Sequence, residues 1–275
     1  MVYRELAPPP DLAAHVACVW TSVASGGVIF PDGCADIVWA GRLIVAGPAT
    51  RPADAHVAPG TPVFGVRFRL GAAGASLGLP AEALRDCSAP LDALWRVDEE
   101  RVAEGGLPAL LALVRARRGG VDPLVRAAAL RLAGEVRGDA AWSRGGDPGR
   151  EARGGGAGRA VRGDARPGRE VRPAGVHALA DDLGISERQL RRRFADAVGY
   201  GPKTLTRVLR FQRFLELAGE DLARAALDAG YADQAHLTRE CRRLAGRTPA
   251  QLAASRPAPA GERVRFVQAA AARAA

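Results

Sequence analysis

The chain has 275 residues, 48% hydrophobic and 25% charged, the balance of an ordinary globular protein with room for two domains. No run reaches the roughly 18 unbroken apolar residues of a membrane helix, and the opening residues, with Arg4, Glu5 and three prolines, hold no apolar signal core. A cytoplasmic, non-membrane protein is therefore expected. The net charge of +9 is uneven: residues 1–120 hold 11 arginines and 12 acids, so the 28 basic and 18 acidic side chains of residues 121–275 carry the whole surplus. A neutral half beside a basic half suggests that one part meets a polyanion, although a GC-rich genome would supply the same arginines.

In chain order, Val28–Phe30, Ile37–Trp39, Leu43–Ala46 and Val63–Leu70 are short apolar or alternating runs that predict strands. Val66 and Phe68 alternate with Arg67 and Arg69 as a half-buried strand does, and Pro31-Asp32-Gly33 signals a turn. Helices are predicted over 81–86, 91–103 and 107–118, the last with Leu107, Leu110, Leu111 and Val114 on one face. A further helix over 122–137 starts at the N-cap Asp122 with Pro123 behind it, and Leu124, Ala128, Leu132 and Val136 form its stripe.

Composition then breaks. Residues 138–174 hold 10 glycines and 8 arginines, with Trp142, Val161 and Val171 the only large apolar side chains. Such a stretch cannot bury enough surface to offset its ordering entropy, so it reads as a disordered basic insertion. The tail 255–275 is read as flexible.

Between them the sequence repeats. Ala180 and Gly184 match Ala226 and Gly230 at an offset of 46, while Phe194, Gly199 and Pro202 match Cys241, Gly246 and Pro249 at an offset of 47. Each copy has the pattern of a helix-turn-helix. In the first, Leu179 and Leu183 face inward, Gly184 ends the helix, and Ser186 with Gln189 forms a capping box ahead of a second helix. Leu190, Phe194 and Ala197 face the core of that helix (about 186–197), and Arg188 and Arg192 point away, flanked by Gln189 and Arg191 with Arg193 near the core edge. In the second copy Leu222–Ala229 leads to a helix of about 233–244, capped by Asp233. Leu237, Cys241 and Leu244 lie inward, Ala235, Arg239 and Arg242 outward, and Gln234 sits on the first turn. A helix over Lys203–Ala218 joins the copies, buried through Leu205, Val208, Leu209, Phe211 or Gln212, and Leu215. Apolar backs and Arg/Gln fronts are what major-groove reading requires. The fold class expected is α+β: a small β-rich domain (1–120, trailing helices included), then an all-α DNA-binding domain (121–254).

Residues LADDLGISERQLRRRF (179–194), GYGP (199–202), LRFQRF (209–214) and AALDAGYADQAHLTRECRRLAGRTPAQL (225–252) resemble the AraC-type tandem helix-turn-helix domain. The resemblance implies base contacts from Arg188 and Arg192 and from Gln234 and Arg239, with His236 and Arg242 helping at bases or phosphates. It implies double-stranded DNA as partner and no cofactor, metal or catalysis, with RNA polymerase, a small effector and a second copy of the chain as further partners. The sequence departs from the family in two places: Cys241 stands where a large aromatic is usual, and 138–174 interrupts a short connection. The segments YRELAPPPDLAAHVACVW (3–20), FPDGCADIVW (30–39), VAGPAT (45–50) and GVRFRLGAA (65–73) resemble a small domain that precedes such regions in bacterial regulators, which implies a sensing or dimerising role.

Two other readings fit parts of the chain. The Gly/Arg tract suits a non-specific nucleic-acid binder with a steep salt dependence. A cysteine-based response to DNA alkylation needs an activated thiolate or bound zinc. Cys34 follows a turn with His15 and His56 in the same half, but no spacing supports a site, and Cys18, Cys34, Cys87 and Cys241 read as buried small hydrophobes.

Overall fold

The computed structural model describes residues 3–55, 57–138, 175–219 and 221–255. The Gly/Arg-rich insertion and the tail lie outside these residues, apart from Gly138 and Ser255 at their edges. The N-terminal part is built on strands β1 (Arg4–Leu6), β2 (Val16–Val23), β3 (Val28–Ile29), β4 (Asp36–Trp39), β5 (Leu43–Ala46), β6 (Ala53–Asp54), β7 (Pro62–Phe68) and β8 (Ser88–Pro90), with helices α1 (Ala73–Leu77) and α2 (Glu99–Arg115). The main sheet is antiparallel, in the order β1-β2-β7-β4-β5-β8, and β3 pairs with β6 in a separate two-stranded sheet.

The longest strand, β2, is absent from the sequence expectation. Val16 and Val19 enter the main core while Cys18 and Trp20 enter a smaller cluster on the other face. Both faces are apolar, so the alternation that betrays a strand is lost. Trp20 lies opposite Gly65 of β7, where a Cβ would stand 2.6 Å from the indole. The expected helix at 81–86 is only a 3-10 turn over Ala81–Leu84, and 91–103 starts as a 3-10 turn at Leu91–Ala93 before α2 begins at Glu99. A break at Gly106 (φ 58°) divides α2, with Pro108 behind it. Beyond the break Leu110 and Val114 are fully buried, and Leu107 and Leu111 pack at the edge.

Helix α3 (Pro123–Arg137) is capped by Asp122, whose carboxylate accepts from the Leu124 and Val125 amides. Its buried stripe is rotated from the expected one: Val125 and Ala129 join Ala128 and Leu132, while Leu124 and Val136 stay half-exposed. Then follow α4 (Val176–Asp182), α5 (Glu187–Val198), α6 (Pro202–Leu217), α7 (Leu222–Asp228), α8 (Gln234–Ala245) and α9 (Pro249–Ala254). Helices α3 to α9 share one core around Phe194, Phe211 and Phe214. The fold is thus α+β, a β-rich part followed by an all-helical one.

The two parts are packed together. The turn Pro31–Cys34 is pinned from within its own sheet. Arg67 donates to both carboxylate oxygens of Asp36 at 3.1 Å and lies 3.2 Å from Asp32, whose other oxygen accepts from the Cys34 amide at 2.9 Å. The arginine expected on a solvated strand face is therefore held in an ion cluster. So pinned, the turn meets α6: the Pro31 carbonyl accepts from Gln212 Nε2 at 2.6 Å, and Phe30 stands edge-on to Phe211 at 5.9 Å. Gly199, left-handed at φ 95° behind α5, packs on Pro48, where no side chain would fit.

Candidate nucleic-acid interface

The first unit is α4 and α5 around Gly184, whose φ of 66° turns the chain after Leu183. The capping box expected at Ser186 is present: the Gln189 amide donates to Ser186 Oγ at 3.3 Å, and the Ser186 amide donates to Gln189 Oε1 at 3.0 Å. From that fixed start, helical periodicity buries Leu190, Phe194 and Ala197 and leaves Arg188, Gln189, Arg191 and Arg192 exposed. These four do not stand alike. Arg188 and Arg192, four residues apart, share the outward face and have no carboxylate partner among the described residues. Arg191 is held by Glu187 at 2.7 Å, and the side-chain oxygen of Gln189 is engaged by the cap. Arg193 sits at the core edge, 3.5 Å from Asp122, the cap of α3.

The second unit is α7 and α8. Asp221 caps α7 through the Arg224 amide, Gly230 turns the chain at φ 81°, and Asp233 caps α8 by accepting from the His236 amide at 2.6 Å. Leu237, Cys241 and Leu244 are buried; Gln234, Ala235, Arg239 and Arg242 are exposed. His236 is half-buried, edge-on to Tyr231 at 5.3 Å, and so faces the gap between the units. Cys241 is closed into the core with no exposure, and burial pushes its thiol up to about 12.

Helix α6 joins the two units and has two distinct sides. Leu205 and Gln212, a heptad apart, meet the β-rich part through Gly33 and Pro31. Lys203, Arg207 and Arg210 recur at spacings of four and three about half a turn away. With Arg191, Tyr231 and His236 they line a cleft of about 570 Å³ between the two units. These α6 cations border the gap between the two units and were not among the expected contact residues. Their i, i+4, i+7 spacing is the signal that could have found them.

The cysteines depart from expectation. Cys18 and Cys241 are buried, but Cys34 is only half-buried and Cys87 is exposed. Burial and then Asp32 push the Cys34 thiol well above its ordinary range, and burial pushes Cys18 up to about 12. A thiolate nucleophile is disfavoured at both. Among the described residues no group of His, Cys, Asp and Glu is placed to hold a metal, and no helix is long and apolar enough to cross a membrane.

The family model described as Helix-turn-helix domain matches residues 179–255, and that described as Domain of unknown function (DUF6597) matches residues 4–90. No curated protein and no solved structure matches the chain. The chain therefore carries an AraC-type helix-turn-helix domain behind a domain of unknown function, an arrangement that fits an AraC-family DNA-binding transcription regulator.

Proposed function

We propose that the chain reads a bipartite DNA sequence, with α5 and α8 entering two successive major grooves on one face of a duplex. The observation that carries this reading is the duplicated arrangement itself: two capped helices, each with an apolar back in the common core and exposed Arg or Gln on its front. Arg188 and Arg192 are the base readers of the first head, and Gln234 and Arg239 those of the second, with Ala235 and Arg242 beside them. A guanidinium matches the acceptor pair of guanine, and a carboxamide the donor and acceptor of adenine. Helix α6, at 16 residues, is about 24 Å long and holds the heads at a fixed separation. The chemistry is binding, and a regulatory signal reaches the heads through the β-rich part gripping α6 on its far side. What that part senses, whether a small effector or a second copy of the chain, bears on the same contact.

Selection of bound sequences from a random duplex pool, with the full chain at near-physiological salt, tests this. Enrichment of two short motifs about 10 base pairs apart is expected. Binding without enrichment that vanishes as salt rises would leave a non-specific nucleic-acid binder instead.

A further inference from the structure

The cleft between the heads has a lining that the reading of bases does not explain. Four cations border it, Arg191, Lys203, Arg207 and Arg210, against two acids, Glu187 and Glu240. Each acid is taken: Glu187 holds Arg191 at 2.7 Å, and Glu240 lies 2.8 Å from Arg207, an ion contact outside hydrogen-bond alignment. That leaves Lys203 and Arg210, seven residues and about 10 Å apart along one side of α6, with no carboxylate partner among the described residues. Arg210 is half-buried, and desolvation pulls its guanidinium below the ordinary value, more than the nearby Tyr231 and Glu240 push it up. Beside it the Tyr231 hydroxyl is buried without a hydrogen-bond partner, and burial keeps the phenol protonated, so it has a proton to donate. Two cations outside any ion pair and a tyrosine with an orphan hydroxyl border one space, which is larger than an ion needs and of the size that takes a sugar with its phosphate.

We propose that this cleft is a phosphate-ester site, in which Lys203 and Arg210 neutralise the phosphate, the Tyr231 hydroxyl donates to it, and the attached sugar fills the remaining volume. The proposal rests on the DNA-binding reading for one of its two sources. A duplex spanning both heads presents its minor groove, and the two backbones that flank it, to the gap between α5 and α8. A free nucleotide carries the same group.

The test uses the full chain and the variants Lys203→Gln and Lys203→Gln/Arg210→Gln, each first required to keep the wild-type melting temperature without ligand. Lys203 is exposed, so the single variant preserves the experiment if the double one does not fold. In one arm, affinity for a duplex of arbitrary sequence is measured against salt. The slope of log Kd on log salt is expected to fall by about 1 for the single variant and about 2 for the double, one phosphate contact each. In the other arm, thermal stabilisation by deoxythymidine monophosphate is compared with deoxythymidine at constant ionic strength. A lower slope with no response to the monophosphate identifies the duplex backbone as the occupant. A monophosphate-specific shift lost in the variants, with unchanged slopes, identifies a soluble nucleotide. No change in either arm overturns the site. If the wild type binds no duplex at all, the regulator reading fails while the monophosphate arm still decides the cleft.

Discussion

Gln212 Nε2 donates to the Pro31 carbonyl at 2.6 Å, across 181 residues of sequence, and so ties the turn of the β-rich part to the helix that spaces the two heads. Gln212→Leu keeps the bulk but leaves a carbonyl without its donor, and a loss of about 1–2 kcal/mol is expected. The denaturant midpoint of the full chain measures it. An unchanged midpoint would mean that this hydrogen bond adds nothing to stability.

The capping box sets where α5 begins. Ser186→Ala removes the acceptor of the Gln189 amide, and about 1 kcal/mol of stability should go with it. Gln189→Ala removes the reciprocal half and should also destabilise, while the preferred DNA sequence stays the same, because its side-chain oxygen is turned to the cap. A changed base preference in that variant would return Gln189 to the reading residues.

The contrast between these residues shows what the sequence held. Helical wheels placed Leu190, Phe194, Leu237 and Cys241 inside and Arg188, Arg192 and Arg239 outside, because in a helix exposure follows from local period alone. Capping at Ser186 and Asp233 is equally local. What escaped depends on contacts far apart in sequence. Strand β2 lost its alternation because two cores claim it, and Arg67 looked solvated because Asp36 of β4 and Asp32 of the turn before it reach it across the sheet. That Arg191 and His236 border a cleft was not legible, because the cleft exists only once two units and α6 are assembled.

His15 makes the β-rich part sensitive to acid. Its ring lies buried 3.2 Å from Ser76 Oγ, and burial first, then Arg118 and Arg126, hold the imidazole below the usual histidine value. The folded state therefore binds this proton less readily than the unfolded chain. The stability involved is fully present above about pH 6.5, the ordinary value, and is lost as pH falls from there towards the depressed one. Melting between pH 7.5 and 5.5 should show a smaller decline in His15→Gln than in the wild type. Parallel curves for the two would exclude His15 as the source.

Arg192 and Arg239 carry the sharpest expectation. Both are exposed on the fronts of their helices, with no carboxylate partner among the described residues, and both are free to meet a base edge. Substitution by alanine should cost about 1–3 kcal/mol on the selected site. The loss should concentrate at one base position, within the first motif for Arg192→Ala and within the second for Arg239→Ala. Affinity for unrelated duplexes should fall far less, since phosphate contacts, not base contacts, supply it. Binding to a panel of single-base variants of the site measures the pattern. An equal loss on every sequence would make the arginine a phosphate contact, and losses in the same motif from both variants would contradict two heads in two grooves.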